Sequence, residues 1–281
     1  MRIWLFATAL VCLVTGRCHR APPAAKTGRV VSISPSTTEA VYAVGAGPQM
    51  VGRSRYCDWP PEVMKLPEVG GFVDPSFEAI LALRPDLVVG ARGPAGSAIA
   101  DRLLARGIAT WFPETESFSA IDAMILGVGE RTGHADAART AVAALDARIA
   151  KIEAAVASLP KTRVLLVFGL APLSVAGPSS FADELVRRGG GTNVVTEGGA
   201  YPTLGVERVL ALDPDVIINA AMMEEGSAAR LSKTAPGWNR VRAVQSDRVV
   251  TLKDEVVLRP GPRIGEGLDK IAKAIHPEAP L

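Results

Sequence analysis

The stretch FEAILALRPDLVV occupies residues 77–89, and a close copy, VERVLALDPDVII, occupies residues 206–218. In each copy an amphipathic helix of about two turns ends before a Pro, and an apolar, β-branched run follows. A helix that leads directly into an apolar strand is the repeating unit of a parallel sheet covered by helices. Because the copies start 129 residues apart, the pattern predicts two lobes that each contain this unit once.

The same alternation of strands and helices runs through the rest of the chain. Short apolar runs such as LVVG (residues 87–90) and TRVLLVFG (residues 162–169) are flanked by amphipathic segments. Strands that are apolar on both faces favour a parallel sheet with helices on either side. We therefore predict an α/β fold of two lobes, each with a mainly parallel sheet flanked by helices. Near the start, Ser36 precedes Glu39 by three residues, which predicts a capping box at the first helix.

A long helical segment separates the two copies of the repeat. Residues 134–159 contain no Gly or Pro, and their apolar positions step by alternating intervals of four and three. A helix of this length would extend about 39 Å. A coiled-coil seam is one interpretation, but the α/β units on both sides favour a single helix that joins two lobes. The predicted organisation is an N-terminal lobe at residues 29–133, the joining helix at 134–159 and a C-terminal lobe at 160–281.

The N-terminus has the pattern of an export signal. A basic start, Met1-Arg2, precedes an apolar run at residues 3–14 that is too short to span a bilayer stably. We predict a signal peptide at residues 1–18 and an Ala- and Pro-rich linker at 19–28. Cys18 resembles the acylated Cys of a bacterial lipoprotein, although the preceding position, normally small, is an Arg; ordinary cleavage near residues 21–25 is the alternative. The expected location is the periplasm or the cell surface.

Each copy of the repeat carries a Glu in the first turn of its helix, Glu78 in one copy and Glu207 in the other. Asp74 and Thr203 align before them and are the expected N-caps. A carboxylate near a helix N-terminus is favoured by about 0.3 to 1 kcal/mol, so a purely local role is one interpretation. The other interpretation is a pair of equivalent acidic positions, one on each lobe.

Several stretches together resemble a known family, the substrate-binding proteins that deliver cobalamin, haem and ferric siderophores to ABC importers. The resemblance covers residues 29–275 and rests on RVVSISPSTTEAVYAVGA, YCDWPPEV, FEAILALRPDLVV, the long helix, GWNRVRAV and RPGPRI, in this order. It implies a class III binding protein, in which a single long helix joins two lobes. It also implies that Glu78 and Glu207 pair with arginines of a membrane permease, which works with an ATPase. Exposed pairs of this kind set orientation and encounter rate more than affinity.

Ligand contacts are expected on loops at the strand ends, where the two lobes face each other. Tyr56 follows a predicted strand, whereas Phe72 and Tyr201 each follow a Gly pair and precede the repeated Glu by six residues. Two rings on opposite lobes could cover a broad, flat ligand from both faces. Ordinary loop packing is the alternative for each ring.

The resemblance is closest to the cobalamin-binding members, and it implies that the segment containing Glu255 and Arg259 also lines the pocket. One position departs from the pattern, because Ala91 stands where a Trp would be expected and Arg92 follows it. An arginine there would also suit carboxylates or an anionic siderophore complex, and Tyr56 could serve as an axial ligand for haem. The expected ligand of this monomeric protein is cobalamin, with haem or a ferric siderophore as alternatives. A tethered sensor or scaffold is the alternative of another class.

Composition and motifs argue against other functions. The chain has 281 residues, of which 48% are hydrophobic, so it can bury one large core or two modest ones, and the repeat favours two. From Cys18 onward 29 basic residues balance 29 acidic ones, which gives no indication of nucleic-acid binding. Two glutamates are reminiscent of a glycosidase, but such carboxylates must lie within about 10 Å of each other. No HExxH, Walker or Ser-His-Asp pattern is present. We therefore expect no catalytic residue, no resident metal and no cofactor.

Overall fold

The computed structural model describes residues 28–93, 96–221, 226–252 and 254–281. The predicted signal peptide, Cys18 and all of the predicted linker except its last residue lie outside these ranges. Among the described residues, no helix has both the length and the apolar character needed to cross a bilayer.

The first half of the described chain forms a four-stranded sheet with helices on both faces. Its strands are β1 (Val30–Ser32), β2 (Met50–Arg53), β3 (Leu87–Val89) and β4 (Ala109–Trp111), and its helices are α1 (Pro35–Ala43), α2 (Phe77–Ala82), α3 (Gly96–Leu104) and α4 (Phe118–Thr132). The strand order is β2-β1-β3-β4, and all three pairings are parallel. Because β1 and β3 are central and fully buried, they read as continuous apolar runs instead of alternating ones.

The second half forms a five-stranded, mainly parallel sheet. Its strands are β5 (Thr162–Leu170), β6 (Leu173–Val175), β7 (Gly191–Asn193), β8 (Val216–Asn219) and β9 (Val249–Thr251). Its helices are α6 (Phe181–Arg188), α7 (Val206–Leu212), α8 (Ser227–Arg230), α9 (Arg242–Gln245) and α10 (Ile264–Ile275); we number the helix between the two halves α5. Strand β5 pairs in parallel with β7 and β8, β8 pairs in parallel with β9, and β6 alone is antiparallel. The repeated stretch therefore forms α2-β3 in one lobe and α7-β8 in the other.

Helix α5 (Ala135–Val156) joins the two lobes and carries the core across them. Its buried residues Leu145, Ile149 and Ile152 belong to one apolar cluster that reaches α4 in the first lobe and α6 and α10 in the second. Each lobe adds a smaller cluster on the opposite face of its sheet. The expectation of two separate cores was therefore wrong, because the apolar stripe of α5 is shared by both lobes.

Three helix starts differ from their predictions. Helix α1 is capped by Ser34, whose hydroxyl accepts the amide of Thr37, and Pro35 occupies the first helical position. The capping box of Ser36 with Glu39 was therefore wrong: Pro at the first position lacks the amide and has a φ suited to a helix start, so the cap moves two residues upstream. Similarly, α2 is capped by Ser76 and α7 begins after Gly205, not after the expected caps at positions 74 and 203.

Candidate ligand cleft

The carboxyl ends of the two sheets face each other. In the first lobe the segments after β2, β3 and β4 leave the same edge, because these strands are parallel. Two contacts join this edge to the second lobe: Asp58, after β2, pairs with Arg259, and Glu116, after β4, accepts a hydrogen bond from Tyr201. Strands β2 and β4 are the outer strands, separated by three spacings or about 14 Å. The two contacts therefore lie at opposite ends of a cleft.

Two aromatic residues predicted to contact the ligand, Tyr56 and Phe72, lie on the segment that follows β2 in the first lobe. The ring of Tyr56 is 49% exposed, and the guanidinium of Arg55 lies 5.7 Å from its centroid. The ring of Phe72 packs so closely on the backbone of Gly93 that an added Cβ there would lie 2.3 Å from its Cζ atom. Phe72 is thus fixed against the loop after β3, whereas Tyr56 presents its ring to solvent.

Tyr201 is the corresponding ring of the second lobe. Its hydroxyl donates to Glu116 at 2.7 Å, and its ring meets Phe168, from the end of β5, edge to face at 5.6 Å. Burial, followed by the hydrogen bond to Glu116, raises the pKa of Tyr201 above its usual value. The phenol therefore stays protonated as a donor, and 43% of the residue remains exposed.

Arg259 lies in a buried ion-pair network that joins the lobes. It pairs with Asp58 through both carboxylate oxygens and with Glu255, and Glu39 lies 3.5 Å away. Burial lowers the pKa of Arg259, but the hydrogen bonds to Asp58 and Glu255 raise it more, so the guanidinium stays charged. Its hydrogen bond to Asp58 lowers the pKa of that carboxyl in turn. In this structure Arg259 is occupied by protein carboxylates, and Glu255 is exposed beside it.

Arg263, four residues after Arg259, makes a second connection between the lobes. It donates to both oxygens of Glu39 at 3.0 and 2.7 Å, and Glu39 has a side chain that is only 2% exposed. The indole ring of Trp59 lies under the same guanidinium at 4.5 Å. Trp59 is 44% exposed and is a third aromatic ring on the loop after β2.

Arg92 lies on the loop after β3, at the middle of the cleft edge. Its guanidinium pairs with Glu114 at 2.8 Å, and its side chain is 66% exposed. The backbone of Arg92 is held by a hydrogen bond from its amide to the carbonyl of Pro113, and Ala91 donates to Ser34. The loop is therefore rigidly placed even though the Arg92 side chain is accessible.

Glu78 and Glu207 lie on the surface of the two lobes. Each is the second residue of its helix, in α2 and α7 respectively, and each is exposed. The side chain of Glu78 is 82% exposed and lies 3.8 Å from Arg102, which is too long for a strong ion pair. The two carboxylates thus occupy equivalent positions on the two lobes, and both are exposed to solvent.

Sequence reasoning missed several groups that the fold brings into the cleft, namely Glu39, Asp58, Trp59, Glu114, Glu116, Phe168 and Arg263. Asp58 and Trp59 share the YCDW stretch with Tyr56, and Arg263 belongs to RPGPRI, so adjacency was a usable signal for these. Glu114 and Glu116 carry no such signal. Throughout the described ranges, no three His, Cys, Asp or Glu side chains are grouped so that they could hold a metal ion.

Comparison with known proteins agrees with this architecture. The family model described as "Periplasmic binding protein" matches residues 30–256. The vitamin B12-binding protein of Salmonella typhimurium is 31% identical, over 84% of this chain and 85% of the relative. An uncharacterized ABC transporter substrate-binding lipoprotein of Bacillus subtilis is 28% identical, over 89% and 80%. A solved periplasmic heme-binding protein from Pseudomonas aeruginosa is 29% identical, with a TM-score of 0.79 and coverage of 90% and 94%. With its two lobes and single joining helix, the chain belongs to the periplasmic binding protein family and has the class III architecture.

Proposed function

We propose that this chain is the extracytoplasmic substrate-binding component of an ABC importer and that it carries cobalamin between its two lobes. The observation that carries the proposal is the placement of Tyr56 and Tyr201, half-exposed rings on the facing edges of the two sheets. Rings on opposite sides of a cleft suit a broad macrocycle, because each can cover one face of it. The relatives named as vitamin B12-binding proteins support cobalamin as this ligand.

Delivery to the permease is assigned to Glu78 and Glu207. Because they occupy equivalent positions on the two lobes, a partner with two related arginine sites can bind both lobes at once. The cycle is then capture in the cleft, docking through both carboxylates, and release when the ATP-driven permease spreads the lobes. The chain itself has no catalytic role in this cycle.

The protein is also assigned a cellular location and an oligomeric state. Export by residues 1–18 delivers the protein outside the cytoplasm, and acylation of Cys18 tethers it there, a proposal that the lipoprotein relative from Bacillus subtilis supports. The protein acts as a monomer, since each chain has both lobes of its own cleft. Mass spectrometry of the membrane-extracted protein, compared with a Cys18→Ser variant, tests the acylation.

Haem is the second candidate ligand. The phenol of Tyr56 lies on an exposed loop, and tyrosinate oxygen is an established axial ligand of haem iron. The Pseudomonas aeruginosa heme-binding structure has the same fold at 29% identity. A tyrosinate-to-iron charge-transfer band on addition of haemin, absent in Tyr56→Phe, would favour this candidate.

The test of the proposed function is a titration of the mature protein with cyanocobalamin, haemin and a panel of ferric siderophores. Binding is measured by calorimetry and by intrinsic fluorescence. We expect one-to-one cobalamin binding that weakens by about tenfold in Tyr56→Ala. Binding of haemin or a siderophore without cobalamin would overturn the ligand but keep the transport role. An absence of binding to the whole panel would overturn the proposed function.

A further inference from the structure

Every described arginine at the cleft already has a protein carboxylate as its partner. Arg92 pairs with Glu114 at 2.8 Å, and Arg55 pairs with Asp74 at 2.8 Å. The other two, Arg259 and Arg263, pair with carboxylates from both lobes, namely Glu39, Asp58 and Glu255. Positive charge at the cleft is therefore neutralised within the protein before any ligand arrives.

The carboxylates outnumber these arginines. Four arginines, at positions 55, 92, 259 and 263, face six carboxylates, at positions 39, 58, 74, 114, 116 and 255. Among the described residues of the cleft this leaves a formal excess of two negative charges. A ligand that brings carboxylates of its own must displace a protein carboxylate or remain beside one.

The cost of displacement differs along the cleft. Arg259 has a side chain that is only 10% exposed and has several carboxylate partners, so a ligand carboxylate gains little by replacing one of them. Arg92 and Glu114 have side chains that are 66% and 55% exposed, so this pair lies where a ligand side chain could reach it. Glu114 is thus a carboxylate whose charge a bound ligand would meet directly.

We propose that Glu114 and Asp58 are specificity-determining residues: by neutralising Arg92 and Arg259 they make the cleft accept uncharged, amide-bearing ligands and reject carboxylate-bearing ones. The inference rests on the proposed function, since it concerns the ligand class of the same cleft. A cleft neutralised in this way favours cobalamin, whose periphery carries amides, over haem and carboxylate siderophores. An amide donates to a protein carboxylate and accepts from a paired arginine, and so needs neither ion pair to be broken.

The probes are cyanocobalamin and its monocarboxylic acids, in which one peripheral amide is replaced by a carboxylate of nearly the same shape. We expect the wild-type protein to bind the monocarboxylic acids about fivefold more weakly than cyanocobalamin. In Glu114→Gln this ratio should fall to about one, and haemin should bind about fivefold more tightly than to the wild type. Asp58→Asn should shift the ratio in the same direction.

The matched control is Asp247→Asn. Asp247 pairs with Lys233 at 2.6 Å, and both residues are exposed. It precedes β9 and therefore lies at the amino edge of the second sheet, whereas the cleft is at the carboxyl edge. The substitution makes the same change in net charge, so a long-range effect of charge would appear in it and a local effect would not.

The outcomes separate the inference from the proposed function. A ratio that falls in Glu114→Gln and not in Asp247→Asn supports the inference. A smaller effect at 0.5 M salt supports it further, because the Debye length is shorter at that ionic strength and charges are screened more strongly. Cobalamin binding with an unchanged ratio in Glu114→Gln overturns the inference and leaves the proposed function in place. Tighter wild-type binding of haemin than of cobalamin overturns the inference together with the proposed ligand. Asp58→Asn is a second variant, and failure of that variant to fold leaves the decision with Glu114→Gln.

Discussion

Tyr201 has two functional parts that a pair of substitutions can separate. Its hydroxyl is committed to Glu116 of the opposite lobe, while its ring is edge to face with Phe168 and partly exposed. We expect Tyr201→Phe to bind cobalamin within about twofold of the wild type, because the hydroxyl is not needed by the ligand. Tyr201→Ala should bind about tenfold more weakly, because it lacks the stacking surface. Calorimetric titrations of both variants check this; equal losses in the two would instead assign the hydroxyl to the ligand.

Glu39 stabilises the fold through its ion pairs with arginines of the second lobe. It is a buried carboxylate that accepts hydrogen bonds from Nε and Nη2 of Arg263 and lies near Arg259. Glu39→Gln should lower the free energy of unfolding by about 3 kcal/mol, because removing one partner leaves charges buried without compensation. Asp136→Asn, which removes an exposed carboxylate beside Arg139 on α5, should cost less than 1 kcal/mol. Urea unfolding followed by circular dichroism measures both, and similar costs in the two would contradict this role for Glu39.

Glu39 also shows that the sequence does not predict contacts between residues far apart in the chain. The sequence placed it in a local capping box, because a Ser three residues upstream is a strong local signal. Its actual partners lie 220 and 224 positions later in the chain. Similarly, the sequence located Tyr56, Phe72 and Tyr201 from their loops, but it could not pair Tyr201 with Glu116. Side chains whose roles depend on the facing lobe require the three-dimensional structure.

At the scale of elements, α4, α5 and α6 meet at an acidic junction between the lobes. Asp122 on α4 is close to Asp146 on α5 and to Glu184 on α6, with Arg188 as the neighbouring cation. Glu184 also accepts the amide of Phe118 at the start of α4. Burial, followed by the charges of Asp146 and Glu184 against that of Arg188, raises the pKa of Asp122 to about 6.

This raised pKa makes the junction sensitive to pH. Because the folded pKa of Asp122, about 6, exceeds the unfolded value of about 3.9, the folded state binds more protons between these values. The contribution of Asp122 to stability is therefore highest below about pH 4 and is lost as the pH rises to about 6. Asp122→Asn cannot ionise, so it should be more stable than the wild type at pH 7, by about 1 kcal/mol once partial exposure is considered. The difference should vanish below about pH 4.

Thermal and urea unfolding at pH 3.5, 5 and 7 measure this effect. Asp101→Asn, an exposed substitution on α3, is the matched control and should follow the wild type at every pH. An advantage of Asp122→Asn that persists at pH 3.5 would mean that packing, and not ionisation, explains the difference.

Most elements could be predicted, since apolar periodicity and Gly or Pro punctuation are local. The long helix was expected at residues 134–159 and is observed at Ala135–Val156. The helix starts were less accurate: α2 is capped by Ser76, two residues after the predicted cap. Several cap-forming residues precede that helix, and tertiary contacts decide among them; here Asp74 pairs with Arg55 and is not available as the cap.

At the scale of the whole molecule, the proposed docking role of Glu78 and Glu207 requires one carboxylate from each lobe. We expect Glu78→Gln and Glu207→Gln each to reduce cobalamin uptake by the cognate importer, and the double variant to abolish most of it. Ligand affinity should not change, because both carboxylates are assigned to docking and not to the ligand. Glu130→Gln, an exposed Glu on α4, is the matched control. Vesicle-reconstituted uptake and ATPase assays measure docking, and a loss of ligand affinity in the single variants would contradict the division of roles.

The whole-molecule architecture also limits how far the lobes can move. Helix α5 is continuous over 22 residues, or about 33 Å, and its apolar stripe is packed into both lobes. A hinge needs a few residues that can absorb a large backbone change, and a helix interior offers none. The bonds from Tyr201 to Glu116 and from Arg259 to Asp58 hold the other side of the molecule.

Ligand binding should therefore change the dimensions of the mature protein very little. A compact chain of this size has a radius of gyration of about 18 Å, and we expect small-angle X-ray scattering to show a ligand-dependent change below about 0.5 Å. The double variant Tyr201→Phe and Asp58→Asn removes one bond at each end of the cleft, so its unliganded form should be larger and its change on binding greater than in the wild type. A wild-type compaction above about 1.5 Å would contradict the rigid role of α5. Identical behaviour of the double variant and the wild type would assign the rigidity to the shared core alone, since the inter-lobe bonds would then contribute nothing to it.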